Sequence, residues 1–375
     1  LLQKSIYGLK QASHNWNKTF RDWLISYGFV QSKVDPGIFV YSQKSSCYIL
    51  ALYVDDSIIA GPQGSFIRKF KSDLGQRFNV QDLGPVSWLL GMKIVRDRQA
   101  CTITLNQSQY IHDILERFNM DECKPVSTPI VAGSMSDNES PNLEPHIPYQ
   151  SLVGSLQYAS VTTRPDITMP VSYLCRYLAS PSQKHWEMAK RVLRYLKGTS
   201  ELGLTYGGKQ CTTQIEAFSD ADWASDSDGR RSRTGYVFML NNAAISWRSQ
   251  RQQTVAQSTA EAEYMALNSA VKEALFIRQL MKCMMQYQKE STIIYEDNQA
   301  CIALTKNTMT NERSKHIDIK YHFCRECWEN GDIDVRYCPT DKMLADVLTK
   351  PLSAPLHKRL VYKIMNINMR SEEEC

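Results

Sequence analysis

The chain has 375 residues, of which 43% are hydrophobic and 22% charged, with a net charge of +5 and 11 cysteines in no repeating framework. That length allows two or three domains with proper cores, and the composition is that of ordinary globular protein, which excludes a low-complexity polymer. No apolar run is long enough for a membrane span and the chain is too large to need disulfide staples, so an intracellular, reducing setting with no membrane and no disulfide partner is expected; the mild basicity suits a polyanion.

The chain begins Leu1-Leu2-Gln3, already in patterned sequence, and reads as a piece of something longer. Residues 1–30 are predicted helical, because Trp16, Phe20, Trp23 and Leu24 recur at helix spacing and Gly28 follows as a stop. Next comes a hairpin region over 35–61. Its β-prone stretches Tyr48–Tyr53 and Ser57–Ala60 flank Asp55 and Asp56, which a tight turn would push out at the tip. Neighbouring like charges are unfavourable, so the pair makes most sense holding a divalent cation for phosphoryl transfer on a polynucleotide. A solvated Asp-Asp turn is the competing reading.

An amphipathic helix is predicted around Ser65–Phe78, an antiparallel pair over Trp88–Val95 and Cys101–Leu105, and a helix from Ser108 to Phe118. Five prolines among Ser, Asn and Gly over 124–148 read as a linker or exposed excursion. Residues 149–199 are helical again, broken at Arg164-Pro165-Asp166, and end in the basic helix Lys184–Lys197 capped by Gly198. Lys190, Arg191, Arg194 and Lys197 form its cationic side, suited to phosphate contact or to plain solvation. From Ile215 the predicted order is strand, strand, strand, long helix, strand, helix, helix, strand, helix, a mixed sheet covered by helices.

Four acids in this last third stand out. Asp220 lies in a period-two run with Asp222 close by. Ser258 with Glu261 has the form of a capping box, which gives Glu261 a structural job. Glu263 instead shares a helix face with Leu267, Val271 and Ala274, and a carboxylate aimed at a buried face needs a partner or a metal. Asp297 ends the apolar strand Thr292–Tyr295, and Asp346 interrupts the apolar segment Met343–Leu348. Acids on strand ends and helices can converge on one metal pair, since such sites form at the carboxyl ends of strands. His316, in a polar basic loop, is placed to move a proton or is a plain surface side chain. Cys324 and Cys327 with His322 and Cys338 raise zinc, but a second close pair is missing.

These segments resemble the C-terminal part of the Pol polyprotein of copia-type retrotransposons. Lys4–Ala12 is similar to its palm segment and Tyr53-Val54-Asp55-Asp56 to its polymerase signature. Tyr149–Tyr158, Thr163–Asp166 and Leu193–Thr199 resemble its connecting region. Ser219–Ala224, Ala260–Ala266, Glu296–Gln299, Ser314–Asp318 and Ala345–Pro351 resemble its RNase H domain. The likeness runs from Leu1 to about Leu352 with the motifs in family order.

The resemblance implies a multidomain α/β and α+β chain: a partial polymerase palm over 1–123, a linker over 124–148, a helical connection over 149–211, an RNase H-like mixed sheet flanked by helices over 212–352, and a tail. It implies Asp55 and Asp56 as polymerase metal ligands. It further implies Asp220, Glu263, Asp297 and Asp346 as RNase H acids binding two Mg2+ (or Mn2+) ions, with His316 assisting and Asp222 as the alternative first acid. Lys10 and Gln11 become nucleic-acid contacts; Arg230, Arg231 and Arg233, with Arg248 and Arg251 further on, read as contacts to the phosphate backbone or equally as a solvated turn. The implied partners are an RNA–DNA hybrid, template-primer nucleic acid and other Pol segments, in a cytoplasmic particle or the nucleus. Two departures count against polymerase activity. The family's third aspartate would lie before Leu1, and Ser13-His14 stands where relatives carry Pro-Arg. The implication is RNase H activity without DNA synthesis by this chain alone; the alternative is an inert element fragment that only binds nucleic acid.

Overall fold

The computed structural model describes residues 6, 8–43, 46–62, 64–135, 140–208, 210–226, 229–306 and 318–368. The chain divides into two units, one of residues 1–86 with 275–289, the other of 87–274 with 290–375.

In the first unit, α1 (Ala12–Tyr27) buries Phe20 and Leu24, one turn apart on the same face. It stops at Gly28, whose φ of 107° suits a residue without a Cβ and whose N–H reaches Ile25 O at 3.0 Å. Four antiparallel strands follow in sheet order: β1 (Val30–Gln31), β2 (Ile38–Gln43), β3 (Ser46–Tyr53) and β4 (Asp56–Ala60). The short strand β1 occupies the end of what the sequence reading gave to the helix. With α2 (Ser65–Arg77) these elements enclose Phe20, Leu24, Phe29, Phe39, Leu50, Phe70 and Leu74. Each such side chain contributes roughly 1.5–3 kcal/mol through burial.

The second unit opens with β5 (Trp88–Leu89), β6 (Met92–Asp97), β7 (Thr102–Asn106) and α3 (Ser108–Arg117). A helical cluster follows, of α4 (Tyr149–Thr162), α5 (Thr168–Leu174) and α6 (Gln183–Gly198). Next comes β8 (Gly203–Gly207), a strand the sequence reading missed, which pairs with β7 from Thr102↔Gly207 to Asn106↔Gly203. That pairing places 87–123, grouped by sequence with the preceding segment, among the residues that follow it. Ile111, Ile114, Leu152, Leu156, Val192 and Leu196 are fully buried between α3, α4 and α6.

The expected linker is laid on these helices instead of hanging free. Ile130 is buried, Leu143 and Gln183 bond the Pro181 and Pro141 carbonyls, and Tyr173 donates to Met135 O at 2.6 Å. The cationic side of α6 holds the start of this segment. Arg191 donates to Thr128 Oγ1 at 3.0 Å, Arg194 to Lys124 O at 2.7 Å, and Lys197 to Asp121 O. Gly198 does not cap α6 from outside; it is the last helical residue, where a Cβ would lie 2.9 Å from Pro125 Cβ.

Arg164 and Asp166, read as a helix break, form a buried ion pair with both side chains wholly inside. Arg164 Nε and Nη2 reach Asp166 Oδ1 and Oδ2 at 3.0 and 2.7 Å, and its Nη1 reaches Thr199 O at 3.0 Å. Tyr195 donates to Asp166 Oδ2 at 2.7 Å. Burial would push Asp166 up, but the guanidinium outweighs it and holds the carboxyl below its ordinary value.

The remainder is a mixed sheet ordered β11-β10-β9-β12-β13, with β9 (Glu216–Asp222), β10 (Arg233–Leu240) and β11 (Ala243–Arg251) antiparallel. After α7 (Thr259–Cys283), β12 (Thr292–Glu296) runs parallel to β9. Parallel neighbours need a crossover, and α8 (Gln299–Lys306) and α9 (Asp318–Glu329) lie in the one leading to β13 (Ile333–Tyr337). A mixed sheet with flanking helices is what the sequence order predicts. The stretch after Leu352 is no tail: α10 (Ala354–Met365) buries Leu360, Val361, Ile364 and Met365 in the core under β10. Among the described residues no helix is long and apolar enough to cross a membrane.

Candidate metal centre

The centre grows from the middle of this sheet. β9 is its central strand, with β10 and β12 as neighbours, so a side chain on β9 sits among several elements. β9 and β12 pair in parallel up to Phe218↔Tyr295. Asp220 lies two residues further along β9, and Asp297 is the first residue after the carboxyl end of β12. α7 packs over β9 through Ala262 and Ala266 against Ala221, and these small residues let the helix approach closely enough to deliver Glu263. Ligand oxygens of Asp220, Glu263 and Asp297 lie within 4.8 Å of one another, the only such group of three found among the described residues.

Asp346 arrives on the tight turn Leu344–Leu348, and Lys350 joins it to the group. Lys350 Nζ stands 2.9 Å from Asp346 Oδ1 and 3.8 Å from Asp220 Oδ2. Thr349 Oγ1 also donates to Asp220 Oδ2, and Thr340 Oγ1 to Asp297 Oδ2 at 2.8 Å. Asp220 and Asp346 are each only 2% exposed and Glu263 7%. Burial, then the neighbouring Glu296, Asp220 and Asp297, push Glu263 up to about 11. Burial and Asp220 push Asp346 up to about 7, and Asp220 too is raised, chiefly by burial.

Glu263 Oε2 is buried without a hydrogen-bond partner, as is Oε2 of the fully buried Glu296. Oxygen-only donors that converge, with unpartnered buried oxygens on Glu263 and Glu296, fit a hard divalent cation such as Mg2+ or Mn2+.

Gly235 makes this assembly possible. It pairs with Asp220 across β10 and β9, and a Cβ there would meet Thr349 Cγ2 at 2.6 Å and Leu348 Cβ at 2.9 Å. Only a bare backbone lets the 344–350 turn lie against the sheet. Gly235→Ala is therefore expected to destabilise the fold by about 1–3 kcal/mol and to weaken Mn2+ binding, read as thermal melts with and without the ion.

Sequence-flagged residues outside the centre fall as follows. Asp222 is half-buried and bonded to Ser225, and it is Asp220 that joins the group of three. Glu261 accepts from Gln257 N at 2.8 Å while its own N–H reaches Ser258 Oγ at 3.2 Å, so it serves the start of α7. Asp55 and Asp56 are exposed at the β3–β4 hairpin, where Trp16 Nε1 donates to Val54 O at 2.8 Å and Val54 takes a φ of 52°. They are not part of a three-ligand group among the described residues. Lys10 and Gln11 are exposed at the start of α1, and Arg230 is exposed and Arg231 half-buried before β10.

Arg233 was expected at the surface and is instead 5% exposed, donating to Ser172 Oγ and Ser249 Oγ at 3.1 Å. Burial and then Arg176 lower it to about 10. Arg251, also expected on phosphate, pairs with Asp226 at 2.5 Å. His316 lies outside the described residues. Cys324 and Cys327 are buried in the core, and Asn268 Nδ2 reaches Cys324 Sγ at 3.4 Å.

Residues 1–132 match the reverse transcriptase (RNA-dependent DNA polymerase) family. The Pol polyprotein of transposon TNT 1-94 from Nicotiana tabacum is 42% identical over 359 residues, 93% of this chain and 27% of the relative. That of transposon RE1 from Arabidopsis thaliana is 36% identical over 97% of this chain and 25% of its own length. A putative transposon Ty5-1 protein of Saccharomyces cerevisiae is 34% identical over 72% of this chain and 88% of its own. The chain belongs to the copia-type retrotransposon Pol family. This Pol chain spans about a quarter of the length of the plant relatives. Among solved structures, the LC11 RNase H1 isolated from compost aligns with 37% of the Pol chain and 94% of its own, at 14% identity and a TM-score of 0.30.

Glu296, Thr349, Lys350 and Gly235 escaped the sequence reading as parts of the centre. Signals existed for two of them. Period two puts Glu296 on the face of Thr292 and Ile294, and Lys350 stands four residues after Asp346.

Proposed function

We propose that this part of the Pol chain hydrolyses the RNA strand of RNA–DNA hybrids at the centre built by Asp220, Glu263, Asp297 and Asp346. The observation that carries the reading is the convergence of Asp220, Glu263 and Asp297 within 4.8 Å, with an unpartnered buried oxygen on Glu263. Two bound Mg2+ (or Mn2+) ions would supply an activated water and stabilise the leaving oxygen. The protein's own work is to hold the acids. Asp220 is fixed by Thr349, Asp297 by Thr340, and Glu263 by the close seat of α7 on β9.

The hybrid would be gripped through phosphates and told from DNA by its 2′-hydroxyls, with Arg230, Arg231 and Arg248 as the cations still offered outward near β10 and β11. In the same proposal the RNase H-like part runs from about residue 212 through α10, Asp55 and Asp56 serve a polymerase on template-primer, and other Pol segments are partners.

Cleavage of a labelled hybrid tests it. Turnover is expected only with Mg2+ or Mn2+, and Asp297→Asn is expected to remove at least about a thousandfold of it. Salt-sensitive binding without turnover would leave a nucleic-acid binder and refute the enzyme.

A further inference from the structure

Lys350 does something none of the expected acids can. Its ammonium lies between Asp346 Oδ1, at 2.9 Å, and Asp220 Oδ2, at 3.8 Å. Both carboxylates are 2% exposed, whereas the lysine side chain is 31% exposed. A cation bridging these two acids needs the same space, because Mg2+ binds carboxylate oxygen at about 2.1 Å. The lysine and such an ion cannot both stay. Asp297 and Glu263, the other half of the centre, have no direct ion pair with Lys350, so the space among Asp220, Glu263 and Asp297 stays open to a cation.

We propose that Lys350 is a resident placeholder for one of two inequivalent cations: its ammonium occupies the Asp220–Asp346 position in the empty protein and swings toward solvent when a divalent ion takes that position. The inference rests on the proposed metal-dependent function. Two features of the chain suit the role. Lys350 is anchored on the turn that carries Asp346, with its backbone N–H on the Asp346 carbonyl at 3.2 Å, so the tether is short and fixed. The four-carbon stem beyond it rotates freely and ends in a strongly hydrated charge that water readily accepts. Filling of the two positions is therefore ordered, the open one first.

Mn2+ titration of the whole chain, followed by calorimetry and by the spin signal of free Mn2+, tests this. The wild type should bind one ion more tightly than the second. Lys350→Met should tighten the second by about tenfold, the scale expected for removing a partly exposed competing charge, and lower the melting temperature without metal. Lys350→Arg, which keeps the charge, should leave the second ion weak. In Asp346→Asn the gain from Lys350→Met should vanish; an equal gain there would mean that the lysine acts only as a distant charge, and the placeholder would be refuted. Two ions bound with unchanged affinities in Lys350→Met would also overturn it while leaving the metal centre intact. No Mn2+ bound by either protein would remove both readings.

Discussion

Glu263→Gln should abolish hybrid cleavage and, in metal-free buffer, make the protein harder to unfold. The two effects share one cause. Glu263 is buried, lies close to Asp220 and Asp297, and leaves Oε2 without a partner. In the empty protein its proton is held up to about pH 11, against an unfolded value near 4.5. The unfolded chain therefore gives up that proton first as pH rises, and the native state loses ground from pH 4.5 upward. Glutamine removes this liability with little change of shape, so the stability gained over wild type should grow between pH 5 and pH 9.

Saturating Mg2+ should reverse the order. A bound cation needs the carboxylate ionised, so wild type becomes the more stable protein and its advantage now rises with pH. Chemical denaturation at three pH values, with Mg2+ or EDTA, measures the effect. A variant equal to wild type under every condition would show that the Glu263 carboxylate is not strained by its neighbours. The loss of turnover should be at least about a thousandfold, because the proposed two-metal site would lose one ligand.

The second large effect belongs to the ion pair under the helices. Arg164→Ala should destabilise the chain by about 3–5 kcal/mol, since it strands the wholly buried carboxylate of Asp166 and two acceptors on Thr199. Replacing the pair together, as Arg164→Met with Asp166→Leu, should restore much of that loss because no uncompensated charge remains. The pair's contribution is present above the unfolded carboxyl value of 3.8 and disappears as pH falls through the lower native value. Urea unfolding of the single and double variants gives the comparison, and a single variant within about 1 kcal/mol of wild type would contradict the buried-pair argument.

The elements themselves were largely legible, because apolar residues recur at helical or strand spacing wherever one face is buried. Phe20 and Leu24 on α1, or Leu267, Val271 and Ala274 behind Glu263, are plain examples. β8 was not legible. Gly203-Leu204-Thr205-Tyr206-Gly207 has glycine at both ends and owes its extended form to pairing with β7, about a hundred residues earlier. The same non-local pairing undid the boundary drawn at residue 123.

The acids of the centre could be nominated because a carboxylate in an apolar run is conspicuous. The parts that seat them could not, since Gly235 is meaningful only once the 344–350 turn is known to lie against it. Charge gave the weakest guidance. Arg191, Arg194 and Arg233 look alike in sequence to Arg230, yet the first two fasten the 121–128 segment and the third is bonded to two serines. Basic residues announce an affinity for negative or carbonyl oxygen without saying whose.

The four acids stand at positions 220, 263, 297 and 346, on β9, on α7, just after β12 and on the 344–348 turn. During synthesis on a ribosome the centre thus stays unfinished until the segment that carries Asp346 has emerged. Close contacts between distant positions form late and slowly. A nascent chain that stalls before Leu344 would leave Val237 and Met239 of β10 uncovered and the acids Asp220, Glu263 and Asp297 without Asp346 and Lys350.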